Sequence, residues 1–151
     1  MADDGPDLVA LFNAHRGGFE RTLGLVFTRV DRDEVVCEVE IVPALLQPYG
    51  LVHGGVYSSI IETLASAGAA LHAMRDGRTS VGLENTTSFL RGTRAGKLVA
   101  TATPVHRGRS SQVWEVAVRD AAGKLCATGR VRTISLEQGA AIAGETVAVK
   151  T

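Results

Sequence analysis

From Val35 to Ile41 the chain alternates: Val35, Cys37, Val39 and Ile41 fall on one face, Glu38 and Glu40 on the other. That is the period of a half-buried strand. A second strand-like run precedes it from Leu25, across the polar turn Asp31-Arg32-Asp33-Glu34. Further upstream, residues 7–15, Asp7-Leu8-Val9-Ala10-Leu11-Phe12-Asn13-Ala14-His15, predict a short amphipathic helix that Gly17-Gly18 ends. Pro43 stops the strand pairing, and a loop runs through Gln47-Pro48-Tyr49-Gly50-Leu51-Val52.

The period then changes. Gly54 to Met74 contains no Pro and is apolar nearly all round, with Val56, Ile60, Ile61, Leu64, Ala65, Ala67, Ala69, Ala70 and Leu71. Such a stretch predicts one long helix buried on most sides, with Gly77 in Arg75-Asp76-Gly77 as its C-cap. Four strands follow over 79–90, 97–106, 112–119 and 125–135, parted by turns such as Arg94-Ala95-Gly96-Lys97 and Asp120-Ala121-Ala122-Gly123. The tail 137–151 is polar and rich in Ala and Gly, and reads as poorly ordered. No repeat or linker interrupts the order, which predicts a single domain over 1–151 with its core at 18–136. Two strands, one buried helix and four strands make an α+β pattern, with the helix across one face of a sheet of about six strands. The other face or an edge is then open to a partner chain.

Composition narrows the class. Hydrophobic residues make up 45% and charged residues 21% of 151, as in an ordinary globular protein. No apolar run approaches the ~18 residues that span a bilayer. The opening Met1-Ala2-Asp3-Asp4-Gly5-Pro6-Asp7 is acidic where a signal peptide is basic, which points to a cytoplasmic protein. Cys37 and Cys126 lie far apart in separate strands, as ordinary small residues without a disulfide or metal-ligand pattern. The net charge is zero but unevenly spread. Residues 1–62 hold ten acidic and four basic side chains, whereas 91–132 hold nine Lys or Arg against Glu115 and Asp120. A basic half suits a phosphate-bearing ligand, or is merely a set of solvated strands.

Chemistry concentrates around the long helix. His53-Gly54-Gly55 sits where loop becomes helix. There, free N–H groups and the positive end of the helix dipole can stabilise a carbonyl oxygen under attack. A glycine-rich helix start with no function has the same appearance. Glu62 weighs against that reading, because it stands among Ile60, Ile61, Leu64 and Ala65, where a carboxylate is costly to bury. Ser66 follows one turn later and Ser58 and Ser59 precede it, yet no Lys or Arg occurs between Val56 and Met74. An apolar-lined carboxylate without a local cation is a candidate for chemistry. Eight residues separate Gly54 from Glu62, so they stand about 12 Å apart along one helix. Within one chain the two cannot serve the same carbonyl. If both are catalytic, Glu62 comes from a second subunit across a two-fold axis.

These residues carry a resemblance. Gln-Pro-Tyr-Gly-Leu-Val-His-Gly-Gly (47–55), Glu-Thr-Leu-Ala-Ser (62–66), Val-Gly-Leu-Glu-Asn (81–85), Phe-Leu-Arg (89–91) and Gln-Val-Trp-Glu-Val (112–116) together resemble the hotdog-fold acyl-CoA thioesterases. Within them, the likeness is to the group of the 4-hydroxybenzoyl-CoA thioesterase of the Arthrobacter type. It is closer still to the 1,4-dihydroxy-2-naphthoyl-CoA thioesterases of menaquinone synthesis and the enterobactin proofreading thioesterases. The resemblance implies a hotdog fold, one central helix wrapped by a single antiparallel sheet, acting as a homo-oligomer, a dimer with shared sites that pairs into a tetramer.

It further implies that Glu62 is nucleophile or general base on the thioester carbonyl, and that the Gly54 N–H polarises that carbonyl. Gln47 would position the thioester or water, His53 would contact the acyl group or its carbonyl, and Ser66 would hold water beside Glu62. Gln47, His53 and Gly54 would face Glu62 and Ser66 of the opposite subunit. Arg91, Arg94, Arg107, Arg109, Ser110 and Ser111 are the candidates for CoA. Tyr49, Leu51, Val56, Ser59 and Thr63 are the candidates for an acyl pocket, with an aromatic acyl group the implied substrate. No metal or cofactor is implied, CoA being part of the substrate, and neither nucleic acid nor membrane is a partner. Two other readings compete. Hotdog enoyl-CoA hydratases use an Asp and His pair, which this helix lacks. A non-catalytic acyl-CoA sensor needs a DNA-reading module, for which the roughly fifteen residues before the fold are too few.

Overall fold

The computed structural model describes residues 6–150; the acidic opening Met1-Ala2-Asp3-Asp4-Gly5 and Thr151 lie outside the described residues. Helix α3 (Gly54–Met74) lies against a six-stranded antiparallel sheet. Its strands are β1 (Leu25–Val30), β2 (Val35–Glu40), β3 (Arg78–Phe89), β4 (Lys97–Arg107), β5 (Ser111–Asp120) and β6 (Leu125–Glu137). They run in the order β1-β2-β4-β5-β6-β3, so β1 and β3 form the two edges. The alternation read from the sequence holds: Val35, Cys37 and Val39 are buried, with Glu38 and Glu40 turned away. Each large aliphatic side chain so buried contributes about 1.5–3 kcal/mol.

The face of α3 against the sheet carries Ile60, Ile61, Leu64, Ala65, Gly68 and Ala69, all buried, in rows of i and i+4. At Gly68 the absence of a side chain matters, because a Cβ there would lie 2.6 Å from the buried Trp114 ring. The indole nitrogen donates to Gln112 Oε1 at 3.0 Å, and Gln112 Nε2 donates to Ala69 O at 2.9 Å. Gln112 is fully buried yet satisfied at both ends of its amide.

Three elements differ from the sequence expectations. Gly17-Gly18 does not merely end the first helix, α1 (Leu8–Ala14); it also opens a second, α2 (Gly18–Leu23), which Gly24 closes at φ +67°. Six residues are too few for a periodic signal, and two glycines read as a break. Gly77 stands two residues beyond the α3 C-cap, Arg75, in the turn that follows, where its φ of +63° favours glycine. The tail is not unstructured throughout: β7 (Ala141–Ile142) pairs with β8 (Glu145–Thr146) across Ala143-Gly144, both at positive φ. Such a turn matches the twist of a two-residue hairpin.

The N-terminal helices dress the β1 edge. The Asn13 side chain donates to Phe27 O at 2.8 Å and accepts from Phe27 N at 2.9 Å, as a neighbouring strand would. Arg16 Nη1 donates to Leu25 O at 2.6 Å. Phe12 meets Phe27 edge-on, with ring centroids 5.5 Å apart.

Candidate active site

The loop before α3 is a tight return. Gln47 N–H donates to Leu51 O at 2.8 Å, Gly50 N–H donates to Gln47 O at 2.8 Å, and Gln47 Oε1 accepts from the Tyr49 N–H. Gly50 makes this possible at φ +73°, and Arg94 Nη1 clamps the turn through Tyr49 O at 2.6 Å. Tyr49 at the tip is 82% exposed. His53 is the N-cap of α3, and its Nδ1 accepts from Gly55 N–H at 2.8 Å. An accepting Nδ1 carries no proton, which leaves Nε2 as the ring donor. Among the described residues no hydrogen bond occupies the Gly54 N–H, the first orphan donor of the helix. The Phe89 ring lies over Gly54, where a Cβ would come within 2.8 Å of its tip.

Glu62 lies two turns along. The sequence places it as a buried carboxylate; in the chain it is half-buried, on the side of α3 that faces β3 and open space. The helix covers the sheet with its other side, so the Glu62 flank is left for whatever approaches the β3 edge. Ser66 Oγ donates to Glu62 Oε1 at 3.0 Å and Asn85 Nδ2 donates to Oε2 at 3.1 Å. No Lys or Arg is within ion-pair distance of Glu62 among the described residues. The carboxylate lines two cavities. One, of about 570 Å³, includes Phe19, Ser58, Ser59, Thr63, Asn85 and Thr87. The other, of about 620 Å³, is largely apolar and runs under α1 past Leu11, Phe12, Phe27, Ala67 and Met74.

Of the acyl-pocket candidates, Ser59 and Thr63 stand beside Glu62, and Val56 is buried in the core. Tyr49 and Leu51 belong to the loop ahead of the helix and line neither cavity. Sequence reasoning missed Asn85 and two aromatic residues, Phe12 in the cavity under α1 and Phe19 in the other. Asn85 was visible only as part of Val-Gly-Leu-Glu-Asn, Phe12 as an apolar residue of the short amphipathic helix, and Phe19 as a residue after the Gly17-Gly18 break.

The basic candidates divide between the two ends of α3, which is about 30 Å long. Arg91 and Arg94 are exposed near the loop at the helix start. Arg107 and Arg109 lie at the other end, in a cavity of about 500 Å³ with His72 and Asp76. Ser110 is exposed there and Ser111 half-buried. Arg107 is already engaged, with Asp33 Oδ1 at 2.9 Å and Arg32 O at 2.8 Å. Burial, and then Arg107, hold the His72 imidazole below its usual range. One chain does not bring these six residues together.

Residues 49–127 match the thioesterase superfamily. Over 121 residues the chain is 41% identical to a Mycobacterium tuberculosis protein named as an esterase, covering 79% of this chain and 86% of that one. It is 36% identical over 129 residues to the proofreading thioesterase EntH of Cronobacter sakazakii, covering 85% and 93%. The solved structure of the mycobacterial protein superposes with a TM-score of 0.79 at 40% identity, over 80% of this chain and 98% of that chain. The thioesterase HI1161 of Haemophilus influenzae superposes at 0.78 with 30% identity, over 87% and 89%. The chain belongs to the thioesterase superfamily and has its hotdog fold. It is accordingly a thioester hydrolase.

Proposed function

We propose that the chain hydrolyses an acyl-CoA, with an aromatic acyl group, to the free acid and CoA. The carrying observation is a carboxylate that lines an apolar cavity, held by two side-chain donors and, among the described residues, by no cation, with a helix-start N–H that none of those residues bonds about 12 Å away on the same helix. Glu62 either attacks the thioester carbonyl, expelling the CoA thiolate and leaving a mixed anhydride that water then cleaves, or takes the proton of a water that attacks the carbonyl and expels the thiolate directly. In both routes the products are the free acid and the CoA thiol. The Gly54 N–H receives the negative charge that develops on the carbonyl oxygen. His53 Nε2 and the Gln47 amide N–H groups are the remaining donors near that oxygen.

Glu62 and Ser66 of one chain meet Gln47, His53 and Gly54 of another, because one straight helix keeps them apart. The unpaired β3 edge beside Glu62 supports this sharing, and a dimer built there pairs further into a tetramer. CoA is part of the substrate, and the proposed reaction uses no resident cofactor or metal. Acyl-CoA thioesters are cytoplasmic metabolites, which puts the enzyme in the cytoplasm. The aromatic preference is supported by Phe19, 59% exposed at the Glu62 cavity, and by Phe12 and Phe27 in the neighbouring one. Offset or edge-on rings each add about 0.5–1.5 kcal/mol.

The test is a panel of aryl and short and long alkyl acyl-CoA substrates ranked by kcat/KM, followed by release of free thiol. Glu62→Gln keeps the shape and removes the charge, and is expected to lower kcat by at least about 100-fold with Tm unchanged. Near-normal turnover by that variant would remove Glu62 from the chemistry. A panel led by long alkyl chains would overturn the aromatic assignment alone.

A further inference from the structure

Strand β3 changes phase next to Glu62. Against β6, Gly82 pairs with Thr133 but Glu84 pairs with Arg132, so Leu83 is the extra residue of a bulge. Residues of a regular strand share a face only at even spacing. The bulge lets two residues three apart, Gly82 and Asn85, both face α3. Each meets the same carboxylate. A Cβ at position 82 would collide with Glu62 Oε1, while Asn85 Nδ2 donates to Glu62 Oε2 at 3.1 Å. Beyond the bulge, Glu84 turns to the outer face and approaches Arg132 at 3.4 Å.

The Asn85 amide is itself fixed. Its nitrogen faces two acceptors, Glu62 Oε2 and Ser58 O, each at 3.1 Å, and its Oδ1 accepts from Thr87 Oγ1 at 2.7 Å. The reversed amide would set an oxygen against two oxygens, so the network admits one orientation. With Ser66 on Oε1, both carboxylate oxygens have a side-chain donor from a different direction. Glu62 alone has three rotatable bonds and, among the described residues, no ion pair to hold it.

We infer that Asn85, oriented by Thr87 and brought into phase by the Leu83 bulge, is a positioning residue that fixes the Glu62 carboxylate for attack. The inference rests on the reading of Glu62 as the catalytic carboxylate. Asn85 acts within its own chain, unlike the groups that share the site across subunits.

Steady-state hydrolysis of benzoyl-CoA and octanoyl-CoA by the full chain tests it. Asn85→Ala is expected to lower kcat about tenfold with KM changed less than about twofold, the worth of one hydrogen bond to a charged group. Asn85→Asp, which keeps the shape but sets a second carboxylate against Glu62, is expected to be worse than Asn85→Ala. A residue that merely filled space would rank the other way, so a milder Asn85→Asp overturns the inference. Should either variant misfold or change oligomeric state, Thr87→Val decides: a kcat lowered roughly threefold at constant KM supports orientation by the hydroxyl, and an unchanged kcat overturns it. Glu62→Gln is measured alongside. If that variant turns over normally, the carboxylate reading and this inference fall together; if it is inactive and the ranking is reversed, only the positioning role fails.

Discussion

At one edge of the sheet, six-residue β1 has its backbone met by the chain itself: Asn13 occupies both polar groups of Phe27, and Arg16 takes Leu25 O. At the other edge, twelve-residue β3 pairs, among the described residues, with β6 alone. Around it Leu83, Phe89 and Leu90 are 53%, 59% and 56% exposed. A long unpaired edge is a template for another strand, and proteins ordinarily blunt one. Here the open edge runs directly beside Glu62, whereas the closed edge reaches that carboxylate only through the apolar cavity under α1 that Phe12 and Phe27 line. The difference teaches that the sheet is finished on one side by its own N-terminus and left open on the other. The proposed sharing of a site between two copies needs such an open edge, since Gly54 and Glu62 stand apart on one helix.

Placing a charge on the open edge breaks this comparison most directly. Leu83→Lys sets two lysines close together where two β3 edges would pair, and a charged edge resists pairing. We expect a monomer by sedimentation at micromolar concentration. Activity should fall roughly tenfold or more and return as protein concentration rises, by mass action. Full activity from a monomer would end the shared-site scheme.

The shared site can be tested again by complementation. Gly54 lies under Phe89, so a bulky replacement there would disturb the ring's contact with Tyr57 at 6.2 Å. The gentler double variant Gln47→Ala/Gly54→Ala is preferable, since the exposed Phe89 can shift. Mixed with Glu62→Ala and reassembled, half of the dimers are mixed, and each restores one site of two. About a quarter of native activity should return. Mixed dimers proven by mass spectrometry, with no gain over the parents, would reject sharing.

The architecture was legible because two periods dominate: alternation in the strands and the apolar run 54–74, which local propensity and burial both favour. The candidate site at His53-Gly54 and Glu62 stood out in the sequence for a different reason, a carboxylate without a local cation on an apolar helix. Asn85 was not. Its contact with Glu62 depends on the Leu83 bulge, and a strand pattern read at strict period two puts Gly82 and Asn85 on opposite faces. The state of Glu62 was misread for a related reason. A single-chain pattern marks a helix as apolar all round, but cannot tell a flank covered by its own sheet from one the sheet leaves open. The short β7–β8 hairpin and α2 fall below the length at which periodicity speaks.

At the closed edge the expected effect is on stability. Asn13→Ala removes both hydrogen bonds to Phe27 and is expected to cost about 1–3 kcal/mol. Thermal unfolding should show it, with oligomeric state unchanged at 25 °C. A change of oligomeric state would mean that both edges take part in assembly.

The smallest expected effect separates the two groups of arginines. Arg91, exposed near the open edge, has no carboxylate partner among the described residues, whereas Arg107 is engaged with Asp33 at 2.9 Å. Charge reversal at Arg91 is expected to raise KM for an acyl-CoA roughly threefold to fivefold, the worth of one exposed ion pair. The effect should be larger at low salt, because screening weakens contacts to exposed phosphates. Hydrolysis of a small thioester without the nucleotide should stay unaffected. Arg107→Glu, by contrast, opposes Asp33 and the Arg32 carbonyl, so its first effect is a lower Tm. Its KM for acyl-CoA rises as well if the nucleotide reaches the far end of α3. The two sets of arginines, about 30 Å apart in one chain, can meet one CoA only when different subunits supply them. An Arg91→Glu and Arg107→Glu pair whose effects on KM multiply at one site, with both effects lost in the Leu83→Lys monomer, would therefore place the nucleotide across the open edge. Effects that persist in the monomer would place it on a single chain.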